Sequence, residues 1–277
     1  MYIALNGTLV ARRLAWEEFA RIAHAAGYAG VDLLHAEVFD MGAAKVVELL
    51  AGLNLKPSVV ALPVEFRKDD AAFEESMRKL PGAAAFAKAI GCPRMSTWVP
   101  SWCELPRAEQ ETVWRKRFQA INRALEPHGV RLGLEYLGPL HLRNRGPHQF
   151  LYRHSDMLAF AKSCGAQIGL LVDSWHWHHA GGTTADIAST PLADLVHVQA
   201  ADAPSLPPEK ILDSERLMPG EGIIDFASFF GALRKAGYRD GVSPEVFGRG
   251  LKDMAPEQGA ALGLRTTASV MKKSGVL

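Results

Sequence analysis

The sequence predicts one α/β domain spanning residues 1–277, built as a closed (β/α)8 barrel of parallel strands. Three observations carry that expectation. Eight short apolar runs of strand length alternate with longer stretches whose apolar residues recur three and four apart. Strict βα alternation gives parallel strands joined by crossover helices. Eight such units in 277 residues suit a barrel better than an open sheet. No G-x-G-x-x-G turn follows the first strand, as a dinucleotide-binding open sheet would require.

The elements follow in order. The expected strands are 2–5, 30–33, 57–61, 94–97, 131–135, 168–173, 196–199 and 241–245. The first helix shows its buried stripe as Trp16, Phe19, Ala20 and Ala23, and a late helix as Phe226, Phe229, Phe230 and Leu233. Glycines at 27, 91, 129, 165 and 237 sit just before strands, where a helix ends in a left-handed turn. The proline-rich stretch 202–208 reads as a long loop between units seven and eight.

Composition narrows the function. Apolar residues are 48% and charged residues 22%, as in a globular enzyme rather than a disordered chain. Thirty-one basic against thirty acidic residues leave a net charge of +1, which argues against a nucleic-acid partner. Three widely spaced cysteines, Cys92, Cys103 and Cys164, suggest neither a disulfide framework nor a zinc finger and fit a reducing cytoplasm. No signal-like leader opens the sequence, and no apolar run approaches the length that spans a bilayer.

The chemistry gathers at strand ends. In such a barrel, a polar residue at the carboxyl end of a strand points into the mouth where active sites form. Four late strands end this way: LGLEY in Glu135, GLLVD in Asp173, VHVQA in Gln199 and VSPEV in Glu245. Singly, each carboxylate reads equally well as an ion-paired strand end, and Gln199 as a hydrogen-bonded core amide. Together, three carboxylates converging on one mouth repel unless a cation compensates, and oxygen ligands suit hard divalent ions.

These stretches carry a family likeness. LGLEYLGP (132–139), GLLVDSWHWHHAGG (169–182), LVHVQAADAP (195–204), LMPGEGIIDF (217–226) and GYRDGVSPEVF (237–247) resemble the xylose isomerase-like TIM barrel superfamily. That superfamily includes sugar isomerases and epimerases, inosose dehydratase, 3-dehydroshikimate dehydratase and endonuclease IV. The resemblance implies a divalent metal held by Glu135, Asp173, Gln199 and Glu245. Many relatives carry His where this chain has Gln199, and the Gln resembles the dehydroshikimate dehydratase variant. Losing a nitrogen ligand shifts the expected ion toward Mn2+ or Mg2+, with Co2+ and Zn2+ as alternatives. The resemblance further implies a substrate-contacting histidine at His176, in the pattern D-x-x-H, and a substrate-contacting arginine at Arg216. His179 reads as a solvated loop residue.

Earlier strand ends offer Arg67 and Trp98 as substrate contacts, with His35, Glu37, Glu65, His141 and Arg143 less specific. Trp102, Trp175 and Trp177 offer either pocket walls or rim packing. Gly220 and Gly222 form a weak candidate phosphate loop.

The expected activity is proton abstraction beside a metal-polarised carbonyl of a small sugar or polyol, through an enediolate. Glu135 or Glu245 serves as base and His176 assists. Isomerase or epimerase ranks first, and a dehydratase of a keto-polyol or dehydroshikimate-like substrate second. A non-catalytic carbohydrate-binding barrel is more remote. DNA repair is disfavoured by the single ligand quartet and the neutral charge. The family resemblance allows a homo-oligomer.

Overall fold

The computed structural model describes residues 1–10 and 14–277, so residues 11–13 of the amino-terminal stretch lie outside the description that follows. Eight parallel strands close on themselves, with β1 bonded to both β2 and β8. They are β1 (Tyr2–Leu5), β2 (Gly30–Leu33), β3 (Lys56–Ala61) and β4 (Arg94–Val99). The circuit continues through β5 (Arg131–Tyr136), β6 (Ile168–Asp173), β7 (Leu195–Ala200) and β8 (Gly241–Pro244). The expected strands 2–5, 30–33 and 168–173 match their observed bounds, and the others shift by one or two residues. Glu245 lies one residue beyond β8 rather than within it.

Eight crossover helices wrap the barrel: α1 (Trp16–Ala26), α2 (Ala43–Gly52), α3 (Leu80–Ala89), α4 (Arg107–Leu125), α5 (His154–Cys164), α6 (Thr184–Ser189), α7 (Phe226–Lys235) and α8 (Pro256–Lys273). The stripes read from sequence on α1 and α7 are all buried against the strands. Gly27 ends α1 in the left-handed region, and its N–H returns to the last turn. Gly165 also has positive φ, at 142°, but with ψ at 172° it is extended rather than left-handed. A Cβ there would lie 2.2 Å from Asn122, whose side-chain oxygen accepts the Gln167 N–H. Glycine at this position therefore serves close approach as well as turning.

The barrel interior is unusually polar. Strand register places Ser96 beside Gly133, Gly133 beside Gly169, and Ser243 beside Gln199. Below the mouth, the buried Asp32 accepts from Asn6 Nδ2 at 3.0 Å and from Ser243 Oγ at 2.8 Å. Burial pushes its carboxyl up to about 7. Small and hydroxylic residues in these positions leave the upper barrel free for the larger polar side chains at the strand ends.

Candidate active site

The structure brings the four strand-end residues together. Glu135, Asp173, Gln199 and Glu245 come from β5, β6, β7 and the end of β8, four neighbouring staves, and all are buried. Asp173 is placed by the chain that follows it. It caps the short helix Ser174–His179, with Oδ1 accepting the Trp175 N–H at 3.0 Å, which leaves Oδ2 facing the mouth. That helix carries His176 back over the strand ends. Ligand atoms of Glu135, Asp173 and His176 all lie within 4.8 Å of one another. Gln199 Nε2 donates to Glu245 Oε1 at 3.1 Å, which ties these two side chains together and leaves the amide oxygen without a partner.

Arg216 completes the group. It is 1% exposed and reaches in from the loop after β7. Its Nη1 donates to Asp173 Oδ2 at 2.7 Å and to Glu245 Oε2 at 3.3 Å. Its Nη2 lies 3.0 Å from His176 Nε2 and 3.8 Å from Asp213 Oδ1. Arg216 is therefore a buried ion-pair partner of the strand-end carboxylates.

Electrostatics follow from burial. Burial, then Glu245 and Asp173, raise the Glu135 carboxyl well above the ordinary carboxylate range. Asp173 is raised to about 6 by burial, against the pull of Arg216. Burial and then Arg216 hold His176 neutral. Its ring is contested, because Gly138 N–H approaches Nδ1 at 3.3 Å while Arg216 approaches Nε2. A neutral imidazole accepts at only one nitrogen, so only one of these contacts is a hydrogen bond at a time. The shorter Arg216 contact has Nε2 accepting, and Glu135 Oε1 stands 3.5 Å from the same nitrogen.

The donor set fits a divalent cation. Glu135 Oε1 and Gln199 Oε1 are buried without a hydrogen-bond partner. Fully ionised, three buried carboxylates against one guanidinium would carry a formal charge of −2, and their raised carboxyls register the cost of that charge without a cation. Four oxygen-bearing side chains with two orphaned oxygens are what a hard divalent ion needs.

Other expected site residues sort differently. Arg67 and Trp98 extend the arc, since β4–β5 register pairs Trp98 with Glu135 and Arg67 Nη2 donates to Thr97 Oγ1 at 2.7 Å. Trp175 and Trp177 are not pocket walls. Trp175 is fully buried and donates to Asp213, and Trp177 packs on Phe229 and donates to the Thr183 carbonyl. His179 is not solvated, for it stands edge-on to Trp175 at 4.3 Å and burial drives it down to about 3. Glu37 accepts the Trp16 N–H at the start of α1, a structural use. Glu65 pairs with Lys68. The phosphate-loop expectation fails, because the N–H groups of Gly220 and Gly222 are already given to Asp202 Oδ2 at 2.9 and 2.8 Å.

Asp202 itself escaped the sequence reading. It is wholly buried, and its Oδ1 also accepts the N–H groups of Ala203 and Ile224. An antiparallel bridge to Leu217 then folds the loop back so that the adjacent Arg216 enters the site. Only its place two residues after β7, in QAADAP, could have signalled it.

The sequence pattern of the xylose isomerase-like TIM barrel matches residues 20–272. The chain belongs to that family. Among members of the xylose isomerase-like family, the inosose isomerase of Halalkalibacterium halodurans is 22% identical over 230 residues, 79% of this chain and 77% of that enzyme. The 3-dehydroshikimate dehydratase of Pseudomonas aeruginosa is 34% identical, but over 111 residues, 39% of this chain and 18% of that enzyme. A xylose isomerase domain protein from Alicyclobacillus acidocaldarius superposes with a TM-score of 0.90 at 28% identity, over 99% of each chain. The IolI protein, solved with a bound zinc atom, shares the fold at a TM-score of 0.84 and 19% identity, over 99% of each chain. The relatives of this family are thus isomerases, epimerases and dehydratases, and no helix among the described residues is long and apolar enough to cross a membrane.

Proposed function

We propose that the chain is a divalent-metal-dependent sugar isomerase or epimerase that removes a proton from the carbon beside a substrate carbonyl. Buried charge carries this reading. Glu135, Asp173 and Glu245, when ionised against Arg216, carry a formal charge of −2 beside two orphaned oxygens. Such a charge is costly to keep dry, and a divalent ion held by Glu135, Asp173, Gln199 and Glu245 removes the cost. All-oxygen ligation favours Mn2+ or Mg2+ over Zn2+ and Co2+. When bound, the ion polarises the carbonyl and stabilises the negative charge that develops as the proton leaves.

The chain's own residues do the rest. Glu135 and Glu245 flank the mouth, with Asp173 and Gln199 on the staves between them. One takes the proton from the face it meets. The other returns it to the opposite face, giving an epimer, or to the neighbouring carbon, giving an isomer. His176, with Nε2 beside Glu135, holds a substrate hydroxyl or the proton in transit. Arg216 positions Asp173 and Glu245 and contacts substrate oxygens. Arg67 and Trp98 form the substrate-binding side of the mouth.

A second reading is favoured by Gln199. The same proton removal followed by loss of a β-hydroxyl makes the enzyme a dehydratase. An amide oxygen at this position, with the 34% match to a dehydroshikimate dehydratase, supports it.

The test is metal analysis of protein purified without a metal-affinity step, with proton NMR of keto-polyols incubated in D2O. About one divalent ion per chain is expected, with deuterium entering beside the carbonyl. Both should be lost in the Glu135→Gln, Glu245→Gln double variant. Absence of bound metal after Mn2+ is supplied overturns the reading. An unsaturated product in place of a deuterated isomer selects the dehydratase.

A further inference from the structure

Arg67 is a half-buried cation at the mouth that forms no ion pair among the described residues. Its Nη2 donates to Thr97 Oγ1 and to the Trp98 carbonyl. Its guanidinium lies 3.9 Å from the centre of the Trp98 ring and 4.3 Å from that of Phe66. Trp98 is the register partner of Glu135, so this cation sits one strand from the proposed metal ligands. The buried arginines have carboxylate partners, Arg94 with Asp240, Arg117 with Asp70 and Arg216 with Asp173 and Glu245, whereas half-buried Arg67, like Arg143 on the Tyr152 ring, pairs with none among the described residues. Among the described residues, no carboxylate lies within ion-pairing distance of Arg67. Glu65, two residues away, is turned to Lys68 at 3.4 Å. Arg67 Nε is buried without a partner, and its Nη1 makes no hydrogen bond to the described residues.

Half-burying an unpaired guanidinium is already costly, and burial pulls this one down to about 10 against the opposing pull of Glu65 and Glu135. Yet two acceptors and two aromatic rings hold it in one orientation, with its remaining donors free. We propose that Arg67, seated on Trp98 beside Glu135, binds a carboxylate of the substrate, which is therefore a keto or hydroxy acid rather than a neutral sugar. Resting on the metal-site reading for where the substrate lies, the inference adds its charge class. A divalent ion neutralises the inner cluster, and one substrate carboxylate neutralises Arg67. The planar fork matches a carboxylate with two parallel N–H donors. Phosphate is the poorer fit, because the loop amides that could share a dianion are spent on Asp202.

The test is calorimetry on the Mn2+-loaded full chain with paired probes: shikimate against methyl shikimate, and D-gluconate against D-glucitol. At least one acid should bind roughly 10- to 100-fold more tightly than its neutral partner. Arg67→Met should erase that ratio, so that acid and neutral partner bind alike to the variant. Arg67→Lys, which keeps the charge and loses the fork, should retain part of it, and it carries the test should the Met variant fail to fold. Equal binding of acid and neutral partner, a ratio that survives Arg67→Met or stays at the wild-type value in Arg67→Lys, or no acid binding at millimolar concentration overturns the inference. A parallel Mn2+ titration reads the metal site separately. Lost Mn2+ binding with an intact acid ratio sinks the metal reading alone, and the reverse sinks only this one.

Discussion

Tyr136 O–H donates to His154 Nδ1 at 3.3 Å, and His154 Nε2–H donates to Thr190 Oγ1 at 2.8 Å. Thr190 passes its own hydrogen to the Asp186 carbonyl. This chain of donors requires a neutral imidazole, and burial lowers its pKa from 6.5 to about 4. Between those pH values the unfolded chain binds a proton that the native state does not. Stability contributed by the neutral ring is therefore lost as pH falls from 6.5 toward 4, by up to about 3 kcal/mol. Asp32, raised to about 7, works in the opposite sense, favouring the native state as pH falls from 7 toward 4. A His154→Gln variant should flatten the acid limb by the His154 share. Urea unfolding at several pH values checks it, and an unchanged slope would assign the acid loss elsewhere. Glu135, Asp173, Gln199 and Glu245 were legible at this scale because each ends an apolar run. Asp202 was not, because three of its four backbone partners are amides 18 to 22 residues away.

The loop after β7 is the element on which the site depends most. Asp202 accepts four backbone N–H groups and the Leu217 bridge closes the turn, and together these present Arg216. An Asp202→Asn change sets an amide NH2 against amide donors and should cost about 2–4 kcal/mol. Chemical denaturation measures that loss, and a cost under about 0.5 kcal/mol would mean the loop is held by other contacts. Elements with strong periodicity, such as α1 and α7, were readable in advance. The helix Ser174–His179 was not, since S-W-H-W-H-H lacks a three-and-four apolar stripe. Its helical turn comes from the Asp173 cap and from burial of Trp175 and Trp177.

Across the whole molecule, the proposed metal site would couple ion binding to stability. An ion that binds only the folded barrel stabilises it by mass action. Mn2+ at about a hundredfold over its Kd adds roughly 2.7 kcal/mol. For a chain of this size that raises Tm by about 5 °C or more. Thermal unfolding with Mn2+ and with a chelator tests this, and equal Tm values would mean that the four oxygen ligands do not hold an ion.

By itself the sequence determined the barrel, the order of its strands and the residues at four neighbouring strand ends. These are local properties, written as period and as polarity at the end of an apolar run. The tertiary structure decided which charges meet. Arg216 crosses from a loop 43 residues beyond Asp173 to pair with it. Asp202 consumes amides that had resembled a phosphate loop. Arg67 stacks on Trp98 with no carboxylate paired to it among the described residues. Such pairings depend on where barrel closure places each loop, and closure is a property of all eight strands together.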